Sequence, residues 1–237
     1  MLYPLSLIVL APILIAQGKY VRRVTPLLPE PVGPRFGHSG QGELVRLLVI
    51  GDSAAAGVGV EQQDQALCGQ LVSTLAKTHE VEWLLEAKTA NTSAQVLSTL
   101  KSLPRKPWDV AVVSVGVNDV TSMTRSDVWE QNLTELVSIL CHEFCCRHVY
   151  LSSVPPMHLF PALPNPLRWW LGLRAKQFNI IMDRVAQSDT RCKFVQVPYR
   201  GDEEEIAADG FHPGALAYQA WSEHLAEKIR RLDVASQ

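Results

Sequence analysis

The sequence predicts a three-layer α/β/α fold, in which a parallel sheet of five strands lies between two layers of helices. Short segments rich in Val, Leu and Ile, with little alternation of polar residues, are typical of strands that are buried on both faces. Helical patterns separate these segments, so each strand–helix–strand step needs a crossover, and such crossovers are almost always right-handed. The chain has 237 residues, which is enough for one domain with a large core.

Strands and helices alternate along the chain from residue 45 onward. The predicted strands are residues 45–50, 81–86, 110–115, 148–153 and 193–197. The predicted helices lie near 63–78, 92–102, 126–143, 171–188 and 214–232. Because ligands of open α/β sheets bind at the carboxyl ends of the strands, the residues directly after each strand are the first candidates for a functional site.

The first 43 residues are predicted to form an apolar N-terminal arm and a linker, and residues 44–237 to form the domain. The segment from Leu2 to Ala16 is almost wholly apolar, but it is shorter than the roughly 20 residues that a membrane-spanning helix needs. It has neither the basic start nor the clean cleavage site of a secretion signal. Residues 24–43 are rich in Pro and Gly, which favours a linker or a wrapping arm.

Three interpretations of the arm stay open: it contacts a membrane or lipid through residues 1–18, it packs on the domain, or it is a secretion signal that is removed. Basic residues follow the apolar segment at Lys19, Arg22 and Arg23. By the positive-inside tendency, an inserted segment would leave the domain in the cytoplasm. A cytoplasmic location, with or without membrane association, is therefore favoured over secretion.

Composition and charge exclude several classes of function. The 22 basic and 24 acidic residues give a net charge of −2 without a basic stripe, so nucleic acid is not an expected partner. The five cysteines are an odd number and favour buried free thiols, which suit a reducing compartment. A cluster of cysteines and histidines could suggest a metal site, but it lacks the second CxxC-like pair of a zinc site, so no metal is expected. Its members are Cys141, His142, Cys145, Cys146 and His148.

Ser53 is the first candidate for a functional residue, because it follows an apolar strand that ends abruptly. The run from Leu47 to Ile50 stops at Gly51-Asp52-Ser53, and the small residues 54–57 can open a helix. A serine hydroxyl beside the N–H groups of a helix start is well placed for a nucleophile and a developing oxyanion. An isolated serine after a strand more often only caps a helix, so the other motifs must decide.

Asp209 and His212 lie three residues apart in a loop rich in Gly and Pro near the other end of the chain. A nucleophilic serine needs a base, and the base needs an acceptor on its other ring nitrogen to fix its tautomer and orientation. One short loop could supply both groups. In the alternative interpretation, Asp209 caps the following helix and His212 is merely exposed. His158 is a rival base, but it lacks a nearby acid in the sequence.

Asn118 follows a third apolar run, residues 112–115, and would project from the same edge of the sheet as Ser53. An amide N–H₂ group at that edge can donate a hydrogen bond to an oxyanion. The alternative is that Asn118 and Asp119 cap the next helix.

Taken together, these three motifs resemble the conserved blocks of the GDSL family of lipases and esterases, also called SGNH hydrolases. The resemblance covers roughly residues 44 to 232, and three motifs in this order after predicted strands are quite specific. The motifs are Gly51-Asp52-Ser53, Gly116-Val117-Asn118-Asp119 and Asp209-Gly210-Phe211-His212.

The resemblance implies a role for each of these residues. Ser53 would be the nucleophile, His212 its base and Asp209 the orienting acid. The oxyanion hole would use the Ser53 N–H, the Asn118 side chain and the backbone N–H of a further position, which aligns with Ala90. The resemblance also supports the flavodoxin-like strand order 2-1-3-4-5 and implies that no cofactor is needed.

Ala90 is where the chain departs from this family, which usually has glycine at that position. Alanine keeps the backbone N–H, so the oxyanion hole can survive the change. The open question is the backbone conformation, because alanine resists positive φ whereas glycine does not.

The connection at residues 154–170 is long, apolar and rich in proline, and it leaves the carboxyl end of the fourth predicted strand. Long loops in such folds are often functional. Leu159, Phe160 and Trp169 are therefore predicted to bind substrate as an acyl-chain wall or lid. The alternative is that these side chains complete the core.

The sequence thus predicts a cofactor-independent serine esterase or lipase that hydrolyses small-molecule acyl esters through an acyl-enzyme on Ser53. An acyl thioesterase or a lysophospholipase using the same site is the close alternative. A non-catalytic binding module and a membrane-tethered scaffold are rivals from other classes. No particular oligomeric state is predicted.

Overall fold

A six-stranded sheet forms the middle layer of the protein, which the computed structural model describes for residues 3–235. Residues 1, 2, 236 and 237, which belong to the predicted arm and the predicted domain, lie outside the described residues. The strands are β1 (Phe36–Ser39), β2 (Glu43–Gly51), β3 (His79–Ala87), β4 (Val110–Ser114), β5 (His148–Ser152) and β6 (Cys192–Val195). Their order across the sheet is β1-β3-β2-β4-β5-β6.

The five strands from β2 to β6 confirm the predicted parallel sheet. The order β3-β2-β4-β5-β6 is the predicted order 2-1-3-4-5, and neighbours among these five strands are parallel. β2 and β4 are adjacent, and their carboxyl ends pair Gly51 with Ser114. This register brings Ser53 and Asn118, which follow those two ends, to one edge of the sheet.

The sixth strand, β1, lies outside the five predicted strands and pairs antiparallel with β3. It is only four residues long and falls in the stretch rich in Pro and Gly that was predicted as a linker, so no buried apolar run marks it. Gly37 allows it to lie close to Trp83, because an added Cβ would be 2.6 Å from the Trp83 ring.

Helices cover both faces of the sheet. They are α1 (Tyr3–Val24), α2 (Ser53–Ala56), α3 (Leu67–Leu75), α4 (Ser93–Ser102), α5 (Val117–Thr121), α6 (Ser126–His142), α7 (Leu167–Ala186) and α8 (Ala215–Ala235). Leu48 and Ile50 of β2 pack in the cluster with α4, α6 and α7, whereas Leu47 and Val49 pack in the cluster with α3 and α8. All four side chains are fully buried, which explains why this strand is a continuous apolar run.

The N-terminal segment forms helix α1, which packs its inward face against α7. Leu14 and Val21, two turns apart, are buried in the cluster that contains α7. Between them, Gln17 Oε1 accepts the N–H of Leu167 at 3.0 Å, and Gln17 Nε2 donates to Asn165 O at 2.7 Å. The first N–H groups of a helix have no partner within it, so Gln17 satisfies one at the start of α7.

None of the described helices is both long enough and apolar enough to cross a membrane.

Candidate active site

Ser53 lies at the start of α2, directly beyond the carboxyl end of β2. Asp52 is the N-cap of α2: its Oδ1 accepts the N–H of Ala54 at 3.1 Å, and its own N–H donates to Ser114 O at 3.0 Å. A Cβ on Gly51 would lie 2.0 Å from the same Ser114 oxygen, so only glycine fits there. These contacts hold the turn against β4, and the Ser53 N–H is one of the first-turn donors that lack a partner inside the helix.

A chain of hydrogen bonds joins Ser53, His212 and Asp209, although Ser53 and His212 are 159 residues apart in the sequence. His212 Nε2 is 2.9 Å from Ser53 Oγ, and His212 Nδ1 is 2.5 Å from Asp209 Oδ2. With the Asp209 carboxylate as acceptor, the imidazole proton lies on Nδ1. Nε2 is then free to accept the hydroxyl proton of Ser53.

Asp209 also holds the turn that carries His212. Its Oδ1 accepts the N–H groups of Phe211 and His212, both at 3.0 Å. Burial alone would raise the pKa of the Asp209 carboxyl, but the hydrogen bonds from His212 and Phe211 and the charge of His212 together hold that pKa below its ordinary value. One carboxylate oxygen thus orients the imidazole while the other shapes the loop, and the group is ionised at neutral pH.

Asn118 reaches the loop that carries Ala90. Its Nδ2 donates one hydrogen bond to Asn91 O at 3.0 Å, and an amide N–H₂ group has a second hydrogen to donate. The same loop is tied to β2 by the N–H of Lys88, which donates to Gly51 O at 3.3 Å. Ala90 has a φ of +69°, so the left-handed conformation is present although alanine disfavours it.

Asp119 holds the other end of this loop, at Ser93, through hydrogen bonds. Its carboxylate accepts the N–H of Ser93 at 2.8 Å and the hydroxyl of Ser93 at 2.6 Å, and Ser93 Oγ accepts from Asn132 Nδ2 at 2.9 Å. Asp119 therefore sits at the N-terminus of α4 and does not cap the helix that follows β4, because it lies inside α5. Burial raises the pKa of the Asp119 carboxyl. Asn118 and Asp119 together fix the loop in which Ala90 is strained.

An apolar cavity opens beside Ser53 and His212. Phe160 stands edge-on to Phe211 with the ring centroids 5.0 Å apart, and edge-on to Tyr199 at 5.9 Å. The wall comes from the segments after β4, β5 and β6 and from the start of α8. Its lining residues include Val117, Val154, Phe160, Tyr199, Phe211 and Trp221. Ligand pockets of this kind accept an apolar group while a few polar atoms fix its orientation.

Of the three predicted substrate-binding residues, the structure brings only Phe160 to the cavity. Leu159 and Trp169 are absent from the described residues that line it, and their side chains are 37% and 49% exposed. Leu159 ends a 3₁₀ turn, so its side chain diverges from that of Phe160, which is only 2% exposed. Trp169 lies in the first turn of α7.

Three aromatic residues that line the cavity were not predicted. Tyr199 follows β6, so the rule that singled out Ser53 could also have found it. Phe211 lies inside the motif from Asp209 to His212. Trp221 lies within α8, where no local signal marks it.

A buried carboxyl, Asp52, directly precedes Ser53 at the edge of the cavity and is 2% exposed. Burial raises its pKa to about 7; the hydrogen bond from Ala54 and the charge of His212 act against this shift, and the charge of Asp119 adds to it. A carboxyl that titrates near neutrality therefore lies next to the serine.

In the described part of the chain, no group of three or more His, Cys, Asp and Glu side chains is arranged to hold a metal ion. Cys141, Cys146 and Cys192 are buried free thiols, and burial raises the pKa of each one.

Comparisons with known proteins identify the family and the fold. The model of the GDSL-like Lipase/Acylhydrolase family matches residues 49–220. Similar solved structures include TesA (23% identity, 79% of this chain and 99% of that chain, TM-score 0.62). They also include the psychrotrophic esterase EstA from Pseudoalteromonas sp. (18%, 79% and 97%, 0.61) and the acetylxylan esterase Axe2 from Geobacillus stearothermophilus (16%, 80% and 95%, 0.59). A comparison with curated protein sequences gives no match.

Replacing Ala90 with glycine should stabilise the protein. A left-handed conformation costs an L-residue roughly 1–2 kcal/mol, and glycine avoids this cost, so we expect Ala90→Gly to raise the free energy of unfolding by about 1 kcal/mol. Urea unfolding measures this change. The control is Ala94→Gly in the first turn of α4, which should lower stability by about 0.5 kcal/mol. A loss of stability in Ala90→Gly would contradict the strain at this position.

The buried Asp52 should make stability depend on pH. Its pKa is about 7 in the folded protein and about 4 in the unfolded chain, so the folded state binds more protons between these values. The stabilising contribution is complete below about pH 4 and is lost as the pH rises through 7. We expect wild type to lose more stability between pH 5 and pH 8 than Asp52→Asn does, measured by urea unfolding. Equal losses in both proteins would show that Asp52 is ionised throughout this range.

Proposed function

We propose, from the premise that the chain belongs to the GDSL-like lipase/acylhydrolase family and is a carboxylic ester hydrolase, that it cleaves acyl esters through a covalent acyl-enzyme on Ser53. The main support for the proposal is the continuous hydrogen-bond chain from Ser53 through His212 to Asp209. Ser53 Oγ is 2.9 Å from His212 Nε2, and His212 Nδ1 is 2.5 Å from Asp209 Oδ2. Nucleophile, base and orienting acid are thus aligned before substrate binds.

Acylation begins when Ser53 Oγ attacks the carbonyl carbon of the ester. The hydroxyl proton passes to His212 Nε2, and the ionised Asp209 stabilises the imidazolium through Nδ1. The carbonyl oxygen becomes an oxyanion, for which the Ser53 N–H, the Ala90 N–H and the Asn118 amide are the proposed donors. When the C–O bond breaks, the leaving alcohol takes the proton from Nε2.

Deacylation repeats these steps with water as the nucleophile. His212 Nε2 removes a proton from the water, the resulting tetrahedral intermediate uses the same donors, and the proton returns to Ser53 Oγ as the acid leaves. Every proton is carried by His212, so the chemistry of the chain's own residues is complete without a cofactor.

The proposed substrates are acyl esters with an apolar substituent, because the cavity beside His212 is walled by Phe160, Phe211 and Tyr199. Thioesters and lysophospholipids present the same carbonyl to Ser53, so acyl thioester and lysophospholipid hydrolysis are alternative assignments of this site. A non-catalytic binding module would not need Ser53, His212 and Asp209 aligned at hydrogen-bond distance.

Contact of residues 1–18 with a membrane or lipid, at a cytoplasmic location, is also part of the proposal. The support is that α1 leaves Ile13 and Ile15 exposed while it packs on the domain through Leu14.

Removing the Ser53 hydroxyl should abolish hydrolysis. We expect Ser53→Ala to lower kcat for p-nitrophenyl esters by a factor on the order of 10⁴ to 10⁶, because the nucleophile is lost while the binding site remains. The matched control is Ser122→Ala, an exposed serine just after α5, which should retain wild-type turnover. A folded Ser53→Ala enzyme that keeps a tenth of wild-type turnover would rule out this nucleophile.

Phe160 should set the preference for acyl-chain length, and Leu159 should not. Phe160 lines the cavity, so Phe160→Ala should change the ratio of kcat/KM for short-chain and medium-chain esters several-fold, since each pocket methylene contributes about 1 kcal/mol or more. Leu159→Ala, in which the neighbouring side chain is truncated, is the control. If the two variants show the same chain-length profile, the cavity does not hold the acyl chain.

A further inference from the structure

Helix α1 has two different faces over its described side chains. The inward face packs on the protein through Leu14 and Val21. The outward face exposes large apolar side chains. Exposed apolar patches often mark an interaction site, so this face needs an explanation. On one side of this face lie Ile13 (48% exposed), Tyr20 (61%) and Val24 (51%), whereas Ile15 (58%), two residues from Ile13, lies on the opposite side of the helix.

The charge of this helix is opposite to that of the protein. The chain as a whole has a net charge of −2, whereas α1 contains Lys19, Arg22 and Arg23 and has no acidic residue. All three basic side chains are exposed, and among the side chains that the structure describes, none is recorded in an ion pair with them. An apolar surface bordered by unpaired basic groups is complementary to an anionic lipid surface.

The helix lies next to the loop that forms the cavity. Gln17 binds Asn165 and Leu167, at the end of that loop and the start of α7. Earlier in the loop, the N–H of Ala162 donates to Gly210 O at 3.1 Å, and Gly210 lies between Asp209 and His212. This loop therefore joins α1 to the turn that carries Asp209 and His212.

We infer that the outward face of α1, formed by Ile13, Tyr20 and Val24 together with the basic groups Lys19, Arg22 and Arg23 of the same helix, is a docking surface for an anionic lipid bilayer. The helix lies in the plane of the interface, because its inward face stays on α7. Ile13 and Val24 enter the apolar boundary, Tyr20 lies at the headgroup level and the basic groups contact the headgroup charges.

This inference extends the proposed lipid contact beyond residue 18 and, for its consequence on turnover, rests on the proposed ester hydrolysis. Docking through α1 brings the cavity loop to the bilayer, so acyl esters dissolved in the membrane reach Ser53 without crossing bulk water. Hydrolysis of membrane-dissolved esters therefore depends on anionic lipid, whereas hydrolysis of water-soluble esters does not.

The test is sedimentation of the full chain with vesicles of phosphatidylcholine alone and of phosphatidylcholine with phosphatidylglycerol. We expect binding to the mixed vesicles, weakened by added NaCl, and little binding to phosphatidylcholine alone. A triple variant, Lys19→Gln with Arg22→Gln and Arg23→Gln, should lose roughly 100-fold in partitioning, since each basic residue contributes about five-fold at an anionic surface.

The control for this variant removes the same charge elsewhere. Lys77→Gln with Arg125→Gln and Arg147→Gln should bind as wild type does, apart from a small effect of net charge. The apolar pair Ile13→Ser and Val24→Ser should also weaken binding, and Ile180→Ser with Leu216→Ser, two exposed side chains on other helices, is its control. All these side chains are exposed, so turnover of a soluble ester should stay at the wild-type level.

Equal binding of the triple variant and its control would overturn the inference. The inference would also be overturned if the apolar double variant changed self-association, measured by light scattering, without changing vesicle binding. The face would then be an interface between copies of the chain. The vesicle-binding measurements are repeated with the Ser53→Ala variant. Vesicle binding by this variant separates the docking surface from the proposed chemistry, since a failure of the nucleophile assignment leaves the sedimentation result unchanged.

Discussion

The close approach of β2 and β4 at their carboxyl ends is the constraint on which the site depends. Gly51 pairs with Ser114, and the absence of a Cβ on Gly51 allows the Ser114 oxygen to accept the N–H of Asp52. That hydrogen bond fixes the turn that begins α2 and carries Ser53. Asn118 follows the other strand of the pair, so the proposed nucleophile and one oxyanion donor are positioned by the same backbone contact. His212 and Asp209 then reach this point from the loop beyond β6.

Much of this arrangement could be predicted because parallel strands leave strong local signals. Strands buried on both faces are continuous apolar runs, and the residues just beyond Ile50 and Ser114 necessarily meet at one edge of the sheet. Local sequence signals are missing where the role of a residue depends on packing against segments that are distant in the sequence. β1 has no apolar run, and Trp221 reaches the cavity from the second turn of α8. One 3₁₀ turn directs the Phe160 side chain into the cavity and leaves that of Leu159 exposed.

The site contains locally unfavourable features, whose free-energy cost is offset by the rest of the fold. Ala90 holds a left-handed φ, and the carboxyls of Asp52 and Asp119 are removed from water. Such features persist only when the surroundings determine them fully. Here this is done by the hydrogen bond that Asn118 donates to Asn91 and by those that Asp119 accepts from Ser93. The hydrogen bonds of Asn118 and Asp119 thus keep the proposed oxyanion donors in place before substrate arrives, which is what electrostatic stabilisation of a transition state requires.

The central claim is that Ser53 carries the acyl group during turnover. It is tested most directly by mixing the protein with p-nitrophenyl acetate, quenching in acid within the first turnovers and locating the acetyl group by peptide mass spectrometry. We expect one acetyl group per chain on the peptide that contains Ser53 in the wild-type protein, and none in the His212→Ala variant, which lacks the base. Rapid release of p-nitrophenol by the wild-type protein with no acetyl group on Ser53, or with the acetyl group on another residue, would contradict it.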